Sequence, residues 1–91
     1  MPIVHVPSSL RALTEGRATF DVPGTTLGQV FAAVGRECPA LVARLIEDGA
    51  IREDMAIAID GSILEGGELV QAVAPDAEIY LVPPIGGGAA G

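Results

Sequence analysis

The chain ends in YLVPPIGGGAAG, and four of its last six residues are glycine. Pro83 and Pro84 cannot donate to a sheet ladder, so they stop the strand-like run that precedes them. Glycine has no Cβ and lets another backbone come close, so such a tail can thread a narrow channel in a partner. Fully extended, Pro84 to Gly91 reaches at most about 28 Å, at roughly 3.5 Å per residue. The group it would deliver is its terminal carboxylate. The same composition also suits a frayed end, since termini order poorly unless tied down. A phosphate-cradling loop is disfavoured: such loops open a helix, and the P-loop adds a lysine. This chain contains no lysine.

Other reactive residues are sparse. One histidine, His5, and one cysteine, Cys38, lie far apart in sequence with no second soft ligand, so a protein-only metal site is not expected. A general base needs a positioned partner, and His5 reads instead as a residue of a sheet surface or core. Cys38, before Pro39 at a helix end, reads as a small buried hydrophobe. The acid pairs Glu47-Asp48 and Glu53-Asp54 fall in expected turns, where adjacent side chains diverge. They read as solvated charge rather than as an acid–base couple.

Ninety-one residues suffice for one domain, and a chain of this size buries roughly 60 to 65% of its unfolded surface. With 49% hydrophobic residues, no Trp, one Tyr and two Phe, the core must be built from Val, Ile, Leu and Ala. A net charge of −7 repels phosphate backbones and anionic lipid, which argues against nucleic acid or membrane as partners. Cys38 has no partner for an internal disulfide, and neither a secretory signal nor an apolar run long enough to span a membrane is recognisable. A reducing, cytoplasmic setting is the expectation.

The elements that must carry the tail follow from periodicity. PIVHVP alternates, with Ile3 and His5 on one face and Val4 and Val6 on the other; RATFDV alternates with Ala18, Phe20 and Val22 inward. The two form a hairpin across a polar connection around LTEG. In PGTTLGQVFAAVGREC the period changes. Thr26 and Gln29 make a capping box, and Leu27, Val30, Phe31 and Val34 form the apolar stripe of a helix. Pro39 suits the first turn of a second short helix, whose stripe of Leu41, Val42, Leu45 and Ile46 runs until Gly49. MAIAID is a strand that ends in the hairpin-type turn Asp60-Gly61. ELVQAV is a short strand or an extended connection, APDAE a turn, and EIYLV the last strand. These elements make an α+β arrangement, a mixed sheet with the main helix on one face and the first strand able to lie beside the last.

The ending EIYLVPPIGGG resembles that of the MoaD/ThiS family of small ubiquitin-like β-grasp proteins, which includes the molybdopterin synthase small subunit and CysO-type carriers. VPSSLRALTEGRATFDVPGTTLGQVF, with its LR-x-LT-x-G segment and TLG helix entry, resembles the family's first hairpin, and AIAIDG its strand-turn. The resemblance covers essentially the whole chain. It implies a β-grasp domain over residues 1–84, with about four to five strands, one main helix and a second short one, and a flexible tail over 85–91.

The implied function is that of a sulfur carrier, not an enzyme, with no cofactor of its own. An E1-like adenylating enzyme using Mg-ATP would convert the terminal glycine to an acyl-adenylate. A sulfur donor would then replace AMP to give a thiocarboxylate, for use by a sulfur-accepting biosynthetic enzyme making molybdopterin, thiazole, cysteine or another thio-metabolite. Pro84, Ile85, Gly86 and Gly87 fall on the family's tail-recognition positions, and the reactive glycine falls on Gly88. Ala89, Ala90 and Gly91 are then an extension that a trimming metalloprotease would remove; otherwise Gly91 carries the sulfur. Without lysine, an activated tail has few amines of its own to acylate, although a genomic preference for Arg gives the same composition. Two alternatives stay open: a ubiquitin-like modifier joined to amines of other proteins, and a non-catalytic interaction module. An apolar docking patch near the last strand, with Leu69, Val70 and Tyr80, is a further expectation, and the same residues would also suit a core.

Overall fold

The structure, a computed structural model, describes residues 1–52, 54–64 and 69–82. The alternation at the start makes β1 (Ile3–His5), with Val4 and Val6 buried. It pairs antiparallel with β2 (Thr19–Asp21), which sets Val4 opposite Phe20. The connection between them is more than a polar link. Ser8–Thr14 form a 3-10 helix that buries Leu10 and Thr14, and the Thr14 hydroxyl bonds the carbonyls of Arg11 and Arg17 at 3.1 and 2.7 Å. Sequence polarity hid this element because only Leu10 and Leu13 carry apolar bulk within it. Ala18, expected inward, is exposed at the outer end of the hairpin.

Helix α1 (Leu27–Glu37) begins where expected. The Thr26 hydroxyl accepts from the Gln29 amide at 3.2 Å, but the reciprocal half of the box lands one residue early. Gln29 Oε1 accepts from the Thr25 amide at 2.8 Å and the Thr25 hydroxyl at 2.9 Å. Leu27, Val30, Phe31 and Val34 are fully buried, as a one-sided helical stripe requires. The remaining orphan amides of the first turn are met from outside the helix. Leu27 donates to Gln71 and Gly28 to Leu69, at 2.9 and 2.8 Å. After a turn at Leu69–Val70 the chain runs to Val73 as a connection, bridged among the described residues from Ala72 to Thr26.

Helix α2 (Pro39–Leu45) starts at Pro39 but stops before Ile46. Ile46–Glu47 form β3, which turns through Asp48 and Gly49, both at positive φ (55° and 77°), to pair with β4 (Ala50–Ile51). An Asp-Gly pair fits a two-residue mirror-image turn, so the expected run of helix to Gly49 gives way to a small hairpin.

The Asp60-Gly61 turn joins β5 (Ala56–Ile59) to β6 (Ser62–Leu64) by the same geometry. The last strand, β7 (Glu78–Val82), lies in the middle of a five-stranded sheet ordered β2-β1-β7-β5-β6. Only the β1–β7 pairing is parallel, and it places the first strand beside the last as expected. Val4, Phe20, Ile57, Ile79 and Leu81 face α1, and with the helical stripe they form one core.

Candidate functional site

The expected reactive and recognition residues, Pro84, Ile85, Gly86, Gly87, Gly88 and Gly91, lie outside the described residues, as do the rest of the tail and Glu53. The structure places the root from which the tail departs. β7 is hydrogen-bonded on both sides, to β1 in parallel and to β5 antiparallel. Its first residue is clamped by Asp60: the Glu78 amide donates to Asp60 Oδ1 at 3.0 Å, and the Asp60 amide to the Glu78 carbonyl at 2.9 Å. A strand held this way fixes the position of Val82, the last described residue before the tail.

Strand register defines the sheet face turned away from α1. Thr19 lies opposite His5, His5 opposite Tyr80, Tyr80 opposite Ala58 and Ala58 opposite Ile63, one row across all five strands. Directly paired residues share a face, so this row is the open face of the sheet. The His5 ring stacks on Tyr80, with centroids 4.2 Å apart and planes 6° from parallel. His5 Nε2 lies 2.9 Å from Glu78 Oε1. The histidine is therefore a sheet-surface residue, one of the two readings its sequence position allowed. Tyr80 and Ile63 remain 42% and 63% exposed, an apolar centre on a face that nothing within the described chain covers.

The expected docking patch of Leu69, Val70 and Tyr80 is divided. Leu69 packs against the core beside the start of α1 and its carbonyl bonds Gly28, whereas Tyr80 is on the opposite side of the sheet. Val70 is 79% exposed in the connection. Ile63, which completes the open-face row, was missed. The signal for it was the two-residue Asp60-Gly61 turn, which fixes Ile63 opposite Ala58 once Ala58 is in a strand.

The other candidates are structural. The Cys38 thiol is half-buried and donates to the Leu13 carbonyl at 3.1 Å. Glu47 and Asp54 both face Arg52, at 3.8 and 3.1 Å. The hydrogen bond from Arg52 holds the Asp54 carboxyl below its ordinary pKa, and the same bond raises that of the guanidinium. Among the described residues no three of His, Cys, Asp and Glu come together to hold a metal ion. No helix among them is long and apolar enough to cross a membrane.

A central C-terminal strand parallel to the first, one main helix across one face and a hairpin on each side of the strand pair define a ubiquitin-like β-grasp domain. Within that class the chain belongs to the ThiS family, whose sequence model matches residues 4–88. Among curated protein sequences, none matches it. Similar solved structures include the complex of BexX and CysO from Amycolatopsis orientalis, at a TM-score of 0.86 and 20% identity, covering 93% of this chain and 97% of that one. CysO of Mycobacterium tuberculosis follows at 0.80 and 22%, covering 93% and 100%. The small archaeal modifier protein 1 of Haloferax volcanii reaches 0.70 at 26% identity, covering 92% and 97%.

Proposed function

We propose that the protein is a sulfur carrier whose glycine tail is adenylated and then thiocarboxylated, with the folded domain acting as the handle by which enzymes hold it. The observation that carries this reading is the family match ending at residue 88, on a chain whose central strand is followed in sequence by two prolines and a glycine-rich tail. The reactive carboxylate is then that of Gly88, freed when a protease removes Ala89, Ala90 and Gly91.

The chemistry divides between the tail and its partner. A carboxylate is a poor electrophile, so the adenylating enzyme joins one carboxylate oxygen to the α-phosphate of ATP and releases pyrophosphate. A sulfur nucleophile then attacks the acyl carbon, the bond to AMP breaks, and the sulfur stays on the chain. The resulting thiocarboxylate is ionised at neutral pH and its soft sulfur is a good nucleophile. The protein's own part is recognition: the open-face row of His5, Tyr80, Ala58 and Ile63 offers the enzyme an apolar seat two residues before the described chain reaches Val82.

The test uses the chain trimmed to Gly88, the adenylating enzyme encoded in the same genome, ATP and a sulfide source. Intact mass should rise by the replacement of one oxygen with sulfur, and deletion of Gly87 to Gly91 should abolish it. Recovery from the native host of only the full-length chain, with sulfur at Gly91, would refute the trimming step.

A second reading, transfer of the activated tail to amines of other proteins, is favoured by the likeness to an archaeal protein called a modifier. It predicts amide-linked adducts in place of a free thiocarboxylate, and the same reaction analysed by mass separates the two.

A further inference from the structure

Beside the tail root lies a groove of about 250 Å³, lined among the described residues by His5, Pro7, Arg11, Thr19, Tyr80 and Leu81. It sits where β1 and β7 run out together, so whatever occupies it lies close to the end of β7 at Val82. Resting on the carrier reading, we propose that Arg11 is the docking cation of this groove and takes a carboxylate side chain of the adenylating enzyme while the tail is threaded into that enzyme.

The other arginines have different work. Arg17 is bound to Glu37 at 2.7 Å and lies over the Phe20 ring, and Arg52 is held between Glu47 and Asp54. Arg36 and Arg44 stand in the last turns of α1 and α2, where a cation complements the helix dipole. Arg11 is exposed, and no carboxylate among the described residues lies within ion-pair distance of it. Its Nε donates to the Val6 carbonyl at 3.1 Å. That bond orients the head group, and neither terminal nitrogen has a partner among the described residues, so both can make a forked contact with a carboxylate. A cation already held in place loses less freedom on binding. In a chain of net charge −7, a free positive group at this spot also tells a partner which end of the domain carries the tail.

Arginine rather than lysine matters here. A guanidinium stays protonated at any physiological pH and is not a nucleophile, so a cation at the tail root cannot capture the activated acyl group. A lysine amine there could attack the acyl carbon, expel AMP and close the chain on itself.

Binding of wild type, Arg11→Glu, Arg11→Lys and Arg44→Glu to the adenylating enzyme of the same genome, measured by calorimetry without ATP, tests this. Charge reversal at Arg11 should weaken binding about 10- to 100-fold, the range of a charge-assisted bond. Arg11→Lys, which keeps the charge but loses the fork and the bond to Val6, should fall between wild type and Arg11→Glu, and Arg44→Glu should keep the full affinity. Melting temperatures of the Arg11 variants should fall only by what loss of the one bond to the Val6 carbonyl accounts for, because the rest of the side chain is exposed. If wild type binds and Arg11→Glu binds equally well, the assignment fails and the carrier reading stands. If wild type neither binds nor is adenylated, the carrier reading itself fails. Two outcomes in the free protein would also overturn the assignment: an Arg11 Nε–H resonance that moves when residues 87–91 are deleted, placing the tail itself in the groove, or one that inorganic phosphate shifts saturably, giving the groove to a small anion.

Discussion

Ile63→Ala isolates the contribution of the open sheet face. Ile63 is the outermost apolar residue of the row that runs through Ala58 and Tyr80 to His5, and it is 63% exposed. Full burial of an isoleucine side chain is worth about 1.5 to 3 kcal/mol. With roughly a third of that already gained in the free protein, closure by a partner should add about 1 to 2 kcal/mol. Truncation to alanine should therefore raise the Kd for the adenylating enzyme about 5- to 30-fold. Stability should fall by no more than about 0.5 to 1 kcal/mol, the range for an exposed strand position losing β-propensity. Titration calorimetry without ATP, beside denaturant unfolding of the free protein, reads both quantities. Tyr80→Ala is a poorer probe because it also removes the stack on His5, so binding and stability would fall together. An unchanged Kd would show that the enzyme does not cover this face. A large loss of stability with little loss of binding would show that Ile63 packs within the domain.

Gly28→Ala should destabilise the fold by about 0.5 to 1.5 kcal/mol, the worth of one backbone hydrogen bond, read as a lower urea midpoint. A Cβ at Gly28 would stand 3.2 Å from the Leu69 carbonyl, which accepts the Gly28 amide at 2.8 Å, and a midpoint at or above wild type would mean that the connection yields freely. Arg52→Ala should raise the pH at which the Asp54 carboxyl titrates, followed by its carbon chemical shift, because the Arg52 hydrogen bond is the main cause of its lowered pKa. Since the folded pKa is depressed, that interaction supports the fold above the unfolded value and is lost as pH falls through the folded one; identical midpoints in the two proteins would remove the assigned cause.

Much of the frame was legible in the sequence because local pattern and tertiary need agree. The Thr26 cap and the Leu27, Val30, Phe31, Val34 stripe specify α1, and the alternations at Val4, Phe20, Ile57 and Ile79 specify the strands that bury them. Less legible were the elements in which few residues are apolar or a turn competes with a helix. The 3-10 helix at Ser8–Thr14 hides behind its serines. The β3–β4 hairpin hides within an apolar stripe that continues α2 past Leu45 by one residue before Asp48-Gly49 reverses the chain. Arg11 gave no sign of its place, since nothing local says that its guanidinium will reach back to Val6.

By itself the sequence determined the composition of the core and the helix with its cap, because each follows from steric and periodic rules that act over a few residues. Only the tertiary structure decided that β7 would be the central strand, that His5 would stack on Tyr80, and that Ile63 and Tyr80 rather than Leu69 would share the open face. Those outcomes depend on pairing register between segments distant in sequence, Tyr80 with Ala58 and His5 with Tyr80. A one-residue slip in that register would send every side chain of the strand to the other face.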